Sequence, residues 1–336
     1  MSTVTSASET AVQPTSEPRR RGCLFFVKRG LTWLVIAVIA LVVLGVAYQA
    51  VAVELDKRNY PPRGQLYTVN GHQMHIICMG EGSPAVILQA GGGADSLWWY
   101  RVQNQLSQHT RVCAFDRPGL GWSEATSGPR DAITIVGELH TLLEEAGVPA
   151  PYVMAGHSYG AVWTRIYAAQ YPEEIGGIVL VDSAVLIPKH FASQSEFDEW
   201  TRQWSGTAVL YGALTRIGLT RLTSPGQFQA AGYPPDIAAE LAALNARNQV
   251  IDTDLAEVVA GYWALTEASA AAENLGDLPT AVLWASQTID AYDTHVEGFI
   301  AAREEIPTYS SNSMTRMIEG ADHGSILGND GSTPNR

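Results

Sequence analysis

Cysteine is scarce in this chain: three in 336 residues, Cys23, Cys78 and Cys113. None is spaced as C-x-x-C and none has the neighbours of a zinc ligand, so neither a thiol redox pair nor a structural zinc site is expected. Phosphate-cradling loops are missing too. There is no G-x-x-x-x-G-K-[ST] stretch, and Gly91-Gly92-Gly93 lacks the G-x-G-x-x-G spacing of a dinucleotide site. The expectation is a protein without metal or cofactor. Basic residues thin out after the N-terminus: from Gly64 onward 13 Lys and Arg stand against 30 Asp and Glu. A surface that acidic argues against nucleic acid and against tight docking on anionic lipid.

Charge of either sign is absent from residues 31–53, an apolar run of 23 residues. At about 1.5 Å per residue it makes roughly 35 Å of helix, enough to cross a hydrocarbon core of about 30 Å. Arg19, Arg20, Arg21, Lys28 and Arg29 precede it, which favours a cytoplasmic N-terminus and an exported remainder. The reading is a basic, disordered N-terminus (1–30), a single-pass signal anchor (31–53), a linker (54–64) and an extracytoplasmic catalytic domain. The rival is a cleaved signal peptide and a secreted product, with Ala50-Val51-Ala52 as the cleavage site.

The remaining 273 residues alternate apolar runs with helical patterns. Eight strands are expected, at 65–69, 74–78, 85–89, 111–115, 151–155, 178–181, 280–284 and 314–318. The first two flank Asn70-Gly71, a strong hairpin signal. Apolar strands alternating with helices predict a mostly parallel α/β sheet covered on both faces. Residues 188–275 break the rhythm. They are Ala-rich, carry Trp200, Trp204 and Trp263, and read as a helical cap inserted into a core of 65–187 and 276–336.

Gly156-His157-Ser158-Tyr159-Gly160 lies between an apolar strand and a helical stretch. A glycine-flanked Ser at a strand-to-helix turn is how a hydroxyl is lifted clear of a parallel sheet. Ser158 needs a base, and the base needs a carboxylate to hold its tautomer. Among the eight histidines, His323 is the candidate, in a loop just after the last strand. His157 points away from the hydroxyl and reads as a packing or hydrogen-bonding residue. For the acid, Asp290, Asp182 and Asp293 all follow C-terminal strand ends, where catalysts collect in open α/β sheets. Asp290 ranks first. The oxyanion donors are expected from the backbone of Tyr159 and of the Gly91-Gly92-Gly93 turn.

Over residues 65–335 the chain resembles the α/β-hydrolase fold superfamily. Asp116-Arg117-Pro118-Gly119-Leu120-Gly121-Trp122-Ser123 is similar to the family's D-x-P-G-x-G-x-S segment. Ala90-Gly91-Gly92 stands where relatives carry a His-Gly-x oxyanion segment, which gives the backbone role to Gly92. Val179-Leu180-Val181-Asp182 resembles the sixth strand, and Ala321-Asp322-His323-Gly324 falls where the family His stands. The family acid maps to Asp290, although Ala285-Ser286-Gln287-Thr288 replaces the usual glycine turn before it. The resemblance implies an eight-stranded sheet and a strand order that sets Cys78 beside Cys113, so a bridge depends on register alone. Ser rather than Asp at the elbow implies acyl chemistry: hydrolysis of a small or medium carboxylic ester through an acyl-enzyme. The alternatives are a peptidase of the same fold releasing N-terminal residues, a non-catalytic binding module, or a subunit of a membrane complex.

Overall fold

The structure is a computed structural model that describes residues 21–184, 193–222, 224–257, 272–288 and 296–327. The chain divides into two compact units, one up to Leu44 and one from Gly45 onward. Helix α1 (Arg21–Asn59) is the long apolar helix that the composition demands. A stretch of it with mean hydropathy 2.7 has none of its residues buried. Its later part belongs to the larger unit. There Gln49 is buried and donates from Nε2 to the Ala246 carbonyl (2.6 Å), while Arg221 pairs with Asp56 (2.6 Å). The expected span of 31–53 therefore runs into residues that pack against protein.

Eight strands follow: β1 (Gln65–Val69), β2 (His72–Met79), β3 (Ala85–Gln89), β4 (Val112–Phe115), β5 (Tyr152–His157), β6 (Ile175–Val181), β7 (Thr280–Ala285) and β8 (Ser313–Ile318). They form one sheet in the order β1-β2-β4-β3-β5-β6-β7-β8. The β1–β2 and β2–β4 pairs are antiparallel and the rest parallel. Asn70 and Gly71 take positive φ, 49° and 87°, the backbone that a two-residue hairpin matching the sheet twist requires. Alternate residues feed opposite faces: Ile87, Cys113 and Met154 enter one core, Leu88, Ala114 and Ala155 the other. That is the pattern of strands covered on both sides.

Helices α2 (Tyr100–Leu106), α3 (Ala132–Glu145) and α4 (Tyr159–Gln170) belong to the crossovers. The side chain of Asp131 caps α3 by accepting from the Thr134 N–H at 3.0 Å, worth about 1 kcal/mol. Ile135, Leu139, Leu142 and Leu143 form its buried stripe, each contributing roughly 1.5–3 kcal/mol. Between β6 and β7 lies a helical insertion. Its described parts are α5 (Gln194–Arg216), α6 (Ser224–Ala230), α7 (Pro235–Asn245) and a helical segment at 248–257, α8. After β7 comes α9 (Val296–Glu305). Trp263 lies outside the described residues.

Cys78 and Cys113 are directly opposite in the β2–β4 register and form a disulfide, with Cα atoms 4.0 Å apart. They are 35 residues apart in sequence, so in the chain-entropy account the bridge removes about 3–4 kcal/mol of unfolded-state freedom. Replacing both cysteines with alanine is expected to lower the unfolding free energy by that order. Urea melts of oxidised protein against the double variant measure it, and equal midpoints would contradict the prediction.

Candidate active site

The nucleophile candidate is held in a conformation that only its surroundings can maintain. Ser158 has φ 55° and ψ −123°, a region non-glycine residues avoid and one that marks functional strain. Its N–H donates to the Val181 carbonyl (3.1 Å), and its carbonyl accepts from the N–H groups of Ala161 (3.1 Å) and Ala184 (3.0 Å). The flanking glycines are there for space. A Cβ on Gly156 would lie 2.3 Å from the Gly160 carbonyl oxygen, and one on Gly160 would lie 2.2 Å from that of Gln89. Backbone that close tolerates no side chain. Ser158 thus stands at the end of β5, immediately before the first turn of α4.

His323 presents Nδ1 to Asp182 Oδ2 at 2.7 Å. Among the described residues the carboxylate on the imidazole is Asp182, one of the alternative acids; Asp290, ranked first, and Asp293 lie outside the described residues. The reason is topological. Asp182 directly follows β6, the neighbour of β5, and the Ser158–Val181 hydrogen bond sets it beside the elbow. A positive φ of 40° at Asp182 turns the chain out of the strand there. Its carboxylate is buried and fully engaged. Oδ1 accepts from the Ala285 N–H (3.0 Å) and from Arg303 (3.3 Å), and Oδ2 also accepts from the Thr288 hydroxyl (2.7 Å). Burial alone would push this carboxyl up. The hydrogen bond and charge of His323, with Thr288 and Ala285, outweigh it and hold the group below the ordinary carboxylate range.

His157 is the hydrogen-bonding residue the sequence suggests. Its Nε2 donates to the His323 carbonyl at 2.8 Å, and the two rings lie 4.6 Å apart. Burial, then the neighbouring His323, pushes its pKa down to about 3, so it stays neutral and braces the loop. Two other described histidines bond carboxylates away from the elbow: His75 bonds Asp116 (2.8 Å) and His140 bonds Glu174 (3.0 Å).

The glycine turn after β3 packs on the elbow. A Cβ on Gly91 would meet Ser158 Cβ at 3.0 Å, and one on Gly92 would meet the Tyr159 ring at 3.4 Å. Buried Arg117 anchors this turn from behind. It donates to the carbonyls of Ala90 (2.8 Å) and Gly91 (2.7 Å) and grips Glu257 of α8 bidentately at 2.9 and 3.0 Å. Arg130 joins Glu257 (3.3 Å) to Glu138 (2.9 Å). The cluster ties the turn to the insertion with charge-assisted bonds, which are about twice as strong as neutral ones. A cavity of about 340 Å³ opens beside the turn, with Gly92, Gly93 and Gly324 on one side and insertion residues on the other. From the insertion, Tyr211 lines it, whereas Leu210 is exposed. Sequence reasoning missed Thr288, Arg303, Arg117 and Glu257. No spacing links them, because they meet only through the fold.

The family model for the alpha/beta hydrolase fold matches residues 84–223, a segment that holds the glycine turn, the elbow and Asp182. Over that segment, less than half of its length, the chain is similar to the alpha/beta hydrolase fold. Solved structures share its architecture. An epoxide hydrolase, CorEH, superposes with a TM-score of 0.57 at 20% identity, covering 80% of this chain and 93% of that one. A thermophilic esterase from Thermogutta terrifontis gives 0.57 at 17% identity, covering 79% and 93%. Likeness at that identity speaks for the fold alone. Among curated relatives, an uncharacterised protein of Schizosaccharomyces pombe is 30% identical over 191 residues, 47% of this chain. The match spans 34% of that relative's length. In such a hydrolase fold, a strand-end Ser and a carboxylate-held His at one sheet edge have the parts for acyl transfer.

Proposed function

We propose that this protein is a serine hydrolase that cleaves carboxylic esters of small or medium acyl chain through an acyl-enzyme intermediate. The observation that carries the reading is the Asp182–His323 pair beside a serine at a strained elbow. Ser158 Oγ attacks the ester carbonyl carbon while His323 Nε2 takes its proton. Asp182 keeps the proton of Nδ1 in position and stabilises the imidazolium. The tetrahedral oxyanion is met by the N–H groups of Tyr159 and Gly92. Tyr159 opens α4, and at a helix N-terminus the helix dipole favours negative charge. Collapse expels the alcohol with the proton from His323. Water, deprotonated by the same imidazole, then releases the acid. The insertion acts as a cap over this edge, a reading supported by the cavity that its residues share with Gly92, Gly93 and Gly324. A fluorophosphonate probe tests the reading: covalent labelling at Ser158 is expected, and unlabelled, folded protein would leave only a binding module.

The same proposal includes a membrane anchor and an exported domain. Residues 25–44 of α1 make about 30 Å of helix, and Lys28 and Arg29 can snorkel to the cytoplasmic interface. The Cys78–Cys113 bridge fits an oxidising compartment. Protease added outside intact cells whose outer layer is permeable is expected to degrade the domain and spare a short N-terminal fragment. A fully protected domain would reverse the orientation, and a soluble product starting near Val53 would make the segment a cleaved signal.

A further inference from the structure

The cavity beside the glycine turn has a wall chemistry that the ester reading does not use. Four aromatic side chains line it: Trp98, Tyr211, Phe228 and Tyr233. Trp98 and Phe228 meet edge-on at 5.6 Å, and the Tyr233 hydroxyl donates to the Trp98 carbonyl at 2.7 Å, so three of the rings hold one another in position. Among the described residues lining the cavity there is no Lys, Arg or His, and Asp254 of α8 is the one carboxylic acid. Its Oδ1 lies 3.1 Å from where a Cβ on Gly92 would be, which sets it at the catalytic end of the cavity. Among the described residues it accepts no hydrogen bond, in contrast to Asp182 and Glu257.

We infer that this cavity is a subsite for a cationic group, and that the preferred substrates are esters or related acyl compounds carrying an ammonium group. The inference rests on the serine-hydrolase reading and adds its substrate class. A carboxylate that accepts no hydrogen bond from the described residues, in one cavity with four aromatic rings, suits an ammonium ion: charge on one side, ring quadrupoles on the others. The acidic surface raises the local concentration of cations at the mouth. A neutral acyl chain would fill the aromatic walls equally well but leave a desolvated carboxyl beside it.

The groups facing Asp254 agree. Burial first, then the charge of Glu257 on the same helix, push its pKa up to about 7, against the opposing charge of Arg117 from the loop after β4. The Gly92–Gly93 segment brings no titratable group. A bound cation favours the ionised form, so affinity for it is expected to fall as pH drops through about 7 and to hold above it.

Two isosteric p-nitrophenyl esters test the subsite on the full chain: 4-(trimethylammonio)butyrate and neutral 5,5-dimethylhexanoate. At pH 8 the wild type is expected to favour the cationic ester in kcat/KM by about tenfold or more. Asp254→Asn should erase that ratio, and in the wild type the ratio should shrink between pH 8 and pH 6. The pH series decides the matter if the variant does not fold. A parallel arm uses Ser158→Ala protein titrated calorimetrically with phenyltrimethylammonium, with and without Asp254→Asn. Equal preference for the two esters, or a preference untouched by Asp254→Asn and by pH, overturns the subsite. Absence of turnover of both esters, with no fluorophosphonate labelling, overturns the hydrolase reading instead. Calorimetry then still decides whether Asp254 binds a cation.

Discussion

Ser158→Ala is expected to abolish hydrolysis of short p-nitrophenyl esters, with a loss on the order of 10⁶ in kcat. The effect is that large because the covalent route is removed: neither His323 nor the oxyanion donors can act on a nucleophile that is gone. The fold should survive. Alanine is smaller than serine, Cβ remains, and the three hydrogen bonds that hold residue 158 use its backbone. Alanine meets the same unfavourable φ as serine, so no new strain is introduced. Steady-state rates beside an unchanged thermal midpoint and lost fluorophosphonate labelling check the prediction. Near-full activity in an otherwise active preparation would refute serine catalysis.

Asp182→Asn is expected to cost up to about 10⁴ in kcat with Ser158 still in place. An amide can turn its NH₂ toward the imidazole. Nδ1 then becomes the acceptor, the ring proton moves to Nε2, and the atom that should take the serine proton already holds one. Asp182 also accepts from the Ala285 N–H, Thr288 and Arg303, so the variant loses some stability as well, and its melting temperature should be measured beside its kinetics. The control is the pair Asp290→Asn and Asp293→Asn, each expected to retain most activity. A large loss at Asp290 with little at Asp182 would return the acid to its first-ranked position.

These outcomes depend unequally on sequence and on fold. The elbow was legible because its requirements are local: an apolar strand, two glycines where an added Cβ would lie within 2.3 Å of a backbone oxygen, and a helix start. The Asn70-Gly71 hairpin was legible for the same reason, since its two positive φ values are a demand on those two residues. His323 followed from its position after the last strand. The acid was harder. An Asp after a strand looks alike at 182 and at 290, and distance along the chain carries no information about which one reaches an imidazole 141 residues away from Asp182. The disulfide stood in between: strand adjacency came from the resemblance, but the pairing of Cys78 with Cys113 needed the register.

The chain by itself determined the alternation of strands and helices, the candidate nucleophile and base and the apolar N-terminal helix, because each is written in residue types at short, regular spacing. Tertiary structure alone set Asp182 on His323, tied the glycine turn to the insertion through Arg117 and Glu257, and brought Asp254 and four aromatic side chains to one cavity beside Gly92. Those relations join residues from separate segments. Their energies come from burial and from charges brought within hydrogen-bond distance, quantities that exist only once the sheet order and the docking of the insertion have set the distances.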